Sequence, residues 1–396
     1  MGYQSLYSNT ASNNTAIGYQ CSYWSSDGTT NVAIGYKCLM GETDIYTGTN
    51  ANVAIGYQCG LFVGVGATNN VLIGYECAKA ATGAGEFTGD NNTYIGYQCG
   101  LVNIGGSENV GIGTNCLDSN TTGNQNVGIG KECLQSNVSG ASNVAMGYQS
   151  LYSNTASNNT AIGYQCSYWN TDGSNNVAIG YKCLMGETDS YTGTEKNVAL
   201  GYQCGLYIGD NAKNNVLIGY ECAKSATGVG EFVGENNTYI GYQCGYSNTS
   251  GDDNVGIGSW CLKDNTTGNQ NVAIGHNALR DNTTGQWNVA IGKSAMLLND
   301  EYNSNVAIGY NTLYKNEAHG NVAIGVSAMY NKKDGVGNVA IGQSALRGPS
   351  EEFTGTEKNV VIGYQICYWV GSNATHNILI GYECAKAEED NLYTGK

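Results

Sequence analysis

Along the whole chain a short apolar stretch returns at nearly constant spacing, set between longer polar stretches. Its consensus is Asn-(Val/Thr)-Ala-Ile-Gly-Tyr-Gln-Cys-Leu, and residues 52–59 carry it as Asn-Val-Ala-Ile-Gly-Tyr-Gln-Cys. Nowhere does an apolar i, i+3, i+4 period persist as in a helix. Within each copy the side chains alternate with the period of two expected of a strand. The pattern therefore predicts an all-β chain with one short strand per copy.

Twenty-two copies follow one another, with glycines from Gly2 and Gly18 to Gly363 and Gly381. Successive spacings are 16, 17, 21, 18, 22, 17, 17 and 17 residues, and the series then restarts at 16. Residues 1–24 and 146–169 are identical. Super-repeats thus span 1–146, with eight coils, and 147–308, with nine, and a partial third spans 309–396. A period of this length is the signature of a solenoid, in which no single repeat can bury its own apolar face. The expected fold is one continuous, fibrous parallel β-solenoid, a β-roll or β-helix of about 22 stacked coils of 16–22 residues. At one strand spacing per coil it would form a rod on the order of 100 Å long. Both termini fall inside a repeat, the reading expected of a segment cut from a longer protein.

Each position in the copy has an expected task. Four residues before the glycine stands Asn in all 21 complete copies, including Asn31, Asn52, Asn70, Asn92, Asn109 and Asn126. Asn suits a tight turn, and stacked amides bond along the axis as a ladder. The β-branched residue that follows and the Ile before the glycine share a strand face, which the alternation assigns to a dry core. The Ala or Gly between them and the glycine itself would then form a flat stripe on the opposite face. That stripe answers either a steric need at a corner or close packing of a second layer. Tyr follows the glycine in most copies, as at Tyr19, Tyr36, Tyr57, Tyr75 and Tyr97. Stacked, these rings predict an aromatic ladder, either a half-buried stiffening stack or a ligand-binding face.

Fourteen of the 15 Cys lie three residues after the glycine. Cys21, Cys38, Cys59, Cys77, Cys99, Cys116 and Cys133 form one run; Cys166, Cys183, Cys204, Cys222, Cys244 and Cys261 form the next. Cys384 stands in a later copy, and Cys367 is displaced by one residue. Elsewhere the position holds Ala, Ser or Thr, so it accepts any small residue, and Cys packs as one. Their spacing matches no zinc motif. Buried thiols, inter-coil disulfides and a metal or redox role all remain open readings, because stacked neighbours fall within disulfide range.

Composition agrees with a turn-rich β chain: 58 Gly, 30 Tyr and 1 Pro, with only 12% charged residues. A net charge of −15 makes nucleic acid or an anionic membrane surface an unsuitable partner. No apolar run is long enough to span a membrane. His276, His319 and His376 are scattered, and no hydrolase, metalloprotease or phosphate-loop motif occurs. Glu351-Glu352, Asp252-Asp253 and Glu388-Glu389 read as loop carboxylates. Asn13, Asn91, Asn120 and Asn265 head Asn-x-Thr triplets that a suitable host would glycosylate. No catalytic, cofactor-binding or metal site is expected, and the chain is not expected to be an enzyme.

The Asn-Val-Ala-Ile-Gly core resembles the Ser-Val-Ala-Ile-Gly head repeats of trimeric autotransporter adhesins. The longer form, with Ile-Gly-Tyr-Gln-(Cys/Ala)-Leu-Tyr, is similar to repeats of phage and algal-virus tail-fibre proteins. The resemblance covers the whole chain. It implies a parallel β-roll, a homotrimer or end-to-end filament, and a place outside the cell or on a virion. The function expected is a structural shaft, projecting a receptor- or glycan-binding tip carried by missing ends. Two other classes compete: ice or glycan binding along the Tyr ladder, and polysaccharide cleavage of the tailspike kind. The last requires carboxylates clustered on adjacent coils, and the sequence offers no convincing set.

Overall fold

Each copy of the repeat builds the same strand and corner. The computed structural model describes residues 2–24, 26–41, 48–80, 86–186, 192–225, 231–331, 334–348, 356–366 and 374–384. Cys367, Glu351, Glu352, Glu388 and Glu389 lie outside the described residues. The described residues contain strands, turns and bends but no α-helix. The chain divides into two compact units, Met1–Lys196 and Asn197–Lys396.

The first unit holds ten strands, from Thr15–Tyr19 to Val177–Tyr181. The second holds eleven, from Val198–Tyr202 to Ile378–Tyr382. Within each unit, strands consecutive in sequence pair in parallel and in register. Val53, Ile55 and Tyr57 lie against Val71, Ile73 and Tyr75, for example, and Val289 and Ile291 against Val306 and Ile308. One copy is thus one coil of a β-solenoid. The copy at Gly2 contributes a turn without a strand.

Three corners per coil use left-handed backbone, mostly at residues other than glycine. In the fourth coil Ala51 has φ 55° and Gln58 φ 52°, and Leu39 of the coil before has φ 48°. A left-handed L-residue costs on the order of 1 kcal/mol, and here inter-coil hydrogen bonding offsets it. The Ala51 N–H donates to Thr29 O at 3.0 Å, Gln58 N–H to Tyr36 O at 2.8 Å, and Leu39 N–H to Cys59 O at 3.0 Å.

The interior differs from the sequence expectation. In the strands from Thr15–Tyr19 to Val360–Tyr364 only the residue two before the glycine is buried: Ala33, Ala54, Ala145 and Ala178 are inside, while the flanking residues are half-exposed; in Ile378–Tyr382 none is buried. Coils this short enclose a lumen already filled by Cys, Leu and Asn, so the strand has room to contribute little more than a methyl group. The wide β-branched face is therefore turned outward.

The residue two before the glycine and the residue four after it share that lumen and exchange volume. Ala33 goes with Leu39, Leu72 with Ala78, and Tyr94 with Gly100, all buried except the glycine's missing side chain. Gly60, one coil below Leu72, yields further space: a Cβ there would lie 2.9 Å from Leu72 Cδ1. Close packing demands such compensation, since interiors tolerate neither voids nor extra methylenes.

Candidate functional site

Four ladders run along the coils, and their side chains carry whatever chemistry the chain has. The first is the Asn ladder. Asn31, Asn52, Asn70, Asn92, Asn109 and Asn126 are all buried. Asn109 Oδ1 accepts the backbone N–H of Asn126 at 2.9 Å, and Asn126 Oδ1 in turn accepts both the N–H and the Nδ2 of Asn143. Each Nδ2 also donates to a loop carbonyl, as Asn126 Nδ2 does to Gly140 O at 2.9 Å. The ladder thus closes the bonding of buried amides that would otherwise be costly.

A second Asn ladder lies seven residues after the glycine in the shorter coils. It comprises Asn103, Asn120, Asn137, Asn154 and Asn170 in the first unit, and Asn248, Asn265, Asn282, Asn299 and Asn316 in the second; all are buried. Asn282 Nδ2 donates to Asn265 Oδ1 at 2.8 Å and to Gly285 O at 3.0 Å. Asn120 and Asn265 are therefore corrected as glycan acceptors: their amides are sealed inside the folded coil. Asn13 and Asn91 stay exposed at left-handed corners.

The repeat glycine is a requirement of coil stacking. A Cβ on Gly56 would stand 1.9 Å from the carbonyl oxygen of Gly74, and Gly56 has φ 133°. The steric reading of this position accounts for it, because the obstacle is the next coil's own backbone. The small residue two places earlier faces the lumen, so the two do not form one stripe.

The outer face is formed by the β-branched residue and the large apolar residue before the glycine, joined in most copies by the Tyr after it; Thr114, Lys131, Ser259, Lys293, Val326 and Gln343 stand there in others. Tyr19, Tyr36, Tyr57, Tyr75 and Tyr97 stack with ring centroids 4.9–5.2 Å apart and planes within 8°. About 40% of each of Tyr19, Tyr57 and Tyr75 is open to solvent. Lys37 Nζ lies 5.6 Å from the Tyr36 ring centre, a favourable cation–π contact. In the second unit the Tyr rank passes to Trp260 and His276, whose rings meet edge to face at 5.2 Å. From Tyr19 to Tyr97 the face is apolar and in register, and among the described residues its rings are left part-exposed.

The thiols form the fourth ladder. Cys21, Cys38, Cys59, Cys77, Cys99, Cys116, Cys133, Cys166, Cys183, Cys204, Cys222, Cys244 and Cys261 are all buried, and Cys384 is half-buried. Cys21, Cys38, Cys59 and Cys77 each donate to the glycine carbonyl of the next coil at 3.2 Å. A neighbouring thiol and burial push Cys133 and Cys59 up to about 12: for Cys133 burial comes first, and for Cys59 bonding to Cys38 partly offsets the rise. Cys133 and Cys59 are thereby held protonated at neutral pH, the state of an unreactive packing group, whereas bonding to the preceding thiol lowers Cys77 and Cys222 from the ordinary value.

Two recesses break the second unit's surface. One, of about 610 Å³, is lined by Gln243, Trp260, Lys263, Asp264, Asn277, Arg280 and Asp281. The other, of about 440 Å³, gathers Asp264, Asp281, Asp300 and Glu317 from consecutive coils. Asp264 and Asp281 sit six residues after their glycines and Asp300 and Glu317 eight, so stacking of consecutive coils brings them together. The carboxylates are not positioned as an acid–base pair, however. Asp281 is held by Arg280, Asp264 lies 3.6 Å from Lys263, and Asp300 accepts the Thr283 hydroxyl. Asp252 Oδ1 caps a loop by accepting Glu235 N–H at 2.7 Å, as a structural carboxylate does. His319 Nδ1 accepts Asn303 N–H, while His276 and His376 occupy other coils. Among the described residues no group of three or more His, Cys, Asp or Glu is placed to hold a metal ion. Among them, too, no helix is long and apolar enough to cross a membrane.

The chain matches no protein-family model and no curated protein sequence.

Proposed function

We propose that this chain is a structural shaft: a stiff spacer in a virion tail fibre or an extracellular surface filament or adhesin, without catalysis. The observation that carries this reading is the half-exposed face of β-branched residues and Ile, repeated in register from strand to strand within each unit and extended by stacked rings from Tyr19 to Tyr97. A monomeric protein seldom leaves a contiguous apolar patch of more than a few hundred Å² uncovered. A stable partner contributes roughly 800 Å², and in the first unit the face runs over ten strands. A second copy of the chain carries the same strand-spaced ridges and is a commensurate occupant, giving a homotrimer or a laterally joined filament.

The test is mass in solution. Sedimentation of the full chain is expected to report more than one copy, and Ile55→Lys with Ile73→Lys is expected to shift it to one, with β circular dichroism unchanged. A wild-type chain that stays monomeric at high concentration would overturn the self-associating shaft.

A second reading, ligand binding along the Tyr ladder, is favoured by one feature: near-parallel, solvent-open rings at 4.9–5.2 Å. Aromatic platforms of this kind suit the flat apolar faces of sugars. Retention on immobilised glycans, or thermal hysteresis, that disappears on replacing Tyr19, Tyr36 and Tyr57 would select it over the shaft alone.

A further inference from the structure

One step of the thiol ladder brings two sulfur atoms into contact. Cys21, Cys38, Cys59, Cys77, Cys133, Cys166, Cys204 and Cys222 turn towards the glycine carbonyl of the coil above. Cys99, Cys116 and Cys244 instead lean over a glycine that replaces the usual alanine: a Cβ on Gly111 would lie 2.6 Å from Cys99 Sγ, one on Gly128 2.5 Å from Cys116 Sγ, and one on Gly256 2.5 Å from Cys244 Sγ. Of these, Cys244 meets its neighbour: Cys244 Sγ stands 2.8 Å from Cys261 Sγ, closer than an ordinary sulfur–sulfur contact. Cys261 Sγ turns to the carbonyl of Gly258 in its own coil, 3.1 Å away. Gly245 N–H donates to Cys261 O at 3.0 Å, the same inter-coil bond that aligns the other rungs.

We propose that Cys244–Cys261 is a site of covalent cross-linking between consecutive coils, the pair closing a disulfide. The oxidant required is a low-molecular-weight disulfide such as oxidised glutathione. One cysteine thiolate attacks it, forming a mixed disulfide and releasing one small thiol. The second cysteine then attacks the mixed disulfide and releases the other. The Sγ–Sγ bond forms, the reagent's S–S bond breaks, and the two protein thiol protons end on the two released thiols. The protein is oxidised by two electrons and the reagent reduced by two. Burial raises the Cys244 thiol well above its ordinary range, so exchange proceeds while a coil is still open and the closed coil then protects the bond. The inference is independent of the shaft reading, since a cross-linked stack serves any function.

The test is a disulfide map of the full chain, refolded in a glutathione redox buffer, quenched in acid, alkylated with N-ethylmaleimide under denaturation and digested for mass spectrometry. The expected result is a linked Cys244–Cys261 peptide pair, at least ten-fold more abundant than any other cysteine link. Complete alkylation of both cysteines in material that has regained its β circular dichroism would overturn the proposal. So would bridges confined to material that has not regained it. Cys261→Ala is a fair control, because Ala278 and Ala295 occupy the same rung. In that variant Cys244 is expected to become alkylated; a new Cys222–Cys244 bridge in equal yield would show that the observed geometry does not direct pairing, and would overturn it as well.

Discussion

Tyr94 and Gly111 occupy adjacent coils as a matched pair: the Tyr94 ring fills the space that a side chain on Gly111 would need. A Cβ on Gly111 would lie 2.8 Å from Tyr94 Cδ1 and 2.6 Å from Cys99 Sγ. The ring itself is fully buried, and its hydroxyl accepts Asn103 Nδ2 at 3.0 Å. Tyr239, Gly256 and Asn248 repeat the arrangement in the second unit. An aromatic side chain in so narrow a lumen is possible only because two glycines, one in its own coil and one in the next, give way.

Gly111→Ala is therefore expected to destabilise the first unit by about 1–3 kcal/mol through overpacking. Combining it with Tyr94→Leu, the residue found at the equivalent Leu72, is expected to recover much of that loss. Thermal unfolding followed by far-ultraviolet circular dichroism measures both. Additive losses in the double variant would mean that the two positions do not share one space.

The Asn ladder predicts a local and directional effect. Asn126→Ala removes the acceptor of two Asn143 donors and leaves Gly140 O without the Asn126 amide. The cost of the stranded buried groups is about 1–3 kcal/mol. Hydrogen exchange is expected to quicken first at the Asn143 amide, on one side of the lesion. Uniform acceleration throughout the unit would point to global loosening instead.

The coil period, the parallel stacking and the Asn rung were legible in the sequence because they recur unchanged in every copy. Which face of the strand turns inward was not. A two-residue alternation is satisfied by either orientation, and apolar bulk alone favours Val53 and Ile55 inside over Ala54. What decides the matter is lumen size, set by Cys59, Leu39 and the asparagines from outside the strand. A volume exchange such as Leu72 with Ala78 was present in the sequence and would have revealed that these positions meet. The second Asn ladder was hidden because it is confined to the shorter coils, where Asn120 and Asn265 also read as surface triplets. The recess around Asp264 and Asp281 is built from positions at fixed spacing, Trp260 with Asn277 and Lys263 with Arg280 among them, and it shows as a recess only once the coils are stacked in register.

Gly56→Ala is expected to be far more damaging than Ala54→Gly, although each changes one methyl group. At Gly56 the methyl would collide with Gly74 O at 1.9 Å on left-handed backbone, and neither coil can retreat without breaking the stack. At position 54 a glycine imitates Gly128, and the expected loss is about 1 kcal/mol. Soluble yield and thermal midpoint compare the two directly. Equal, mild effects would mean that the coils separate more easily than their backbone contacts indicate.

Glu221 makes the stack sensitive to acid. Burial opposes its ionisation, but hydrogen bonds from Lys224 and Gln243, together with the Lys224 charge, outweigh burial and hold the carboxyl below its ordinary value of 4.5. Lys224 Nζ donates at 2.6 Å and Gln243 Nε2 at 2.7 Å, the latter from the next coil. A carboxyl lowered by folding contributes stability that is complete above the ordinary value and is lost as pH falls through the folded one. The contribution is about 1 kcal/mol or less for a pair this near the surface. Glu221→Gln is expected to lower the thermal midpoint slightly at neutral pH and to flatten its fall between about pH 5 and pH 3. A variant whose midpoint falls as steeply as wild type over that window would show that Glu221 is not among the groups that set the acid limit.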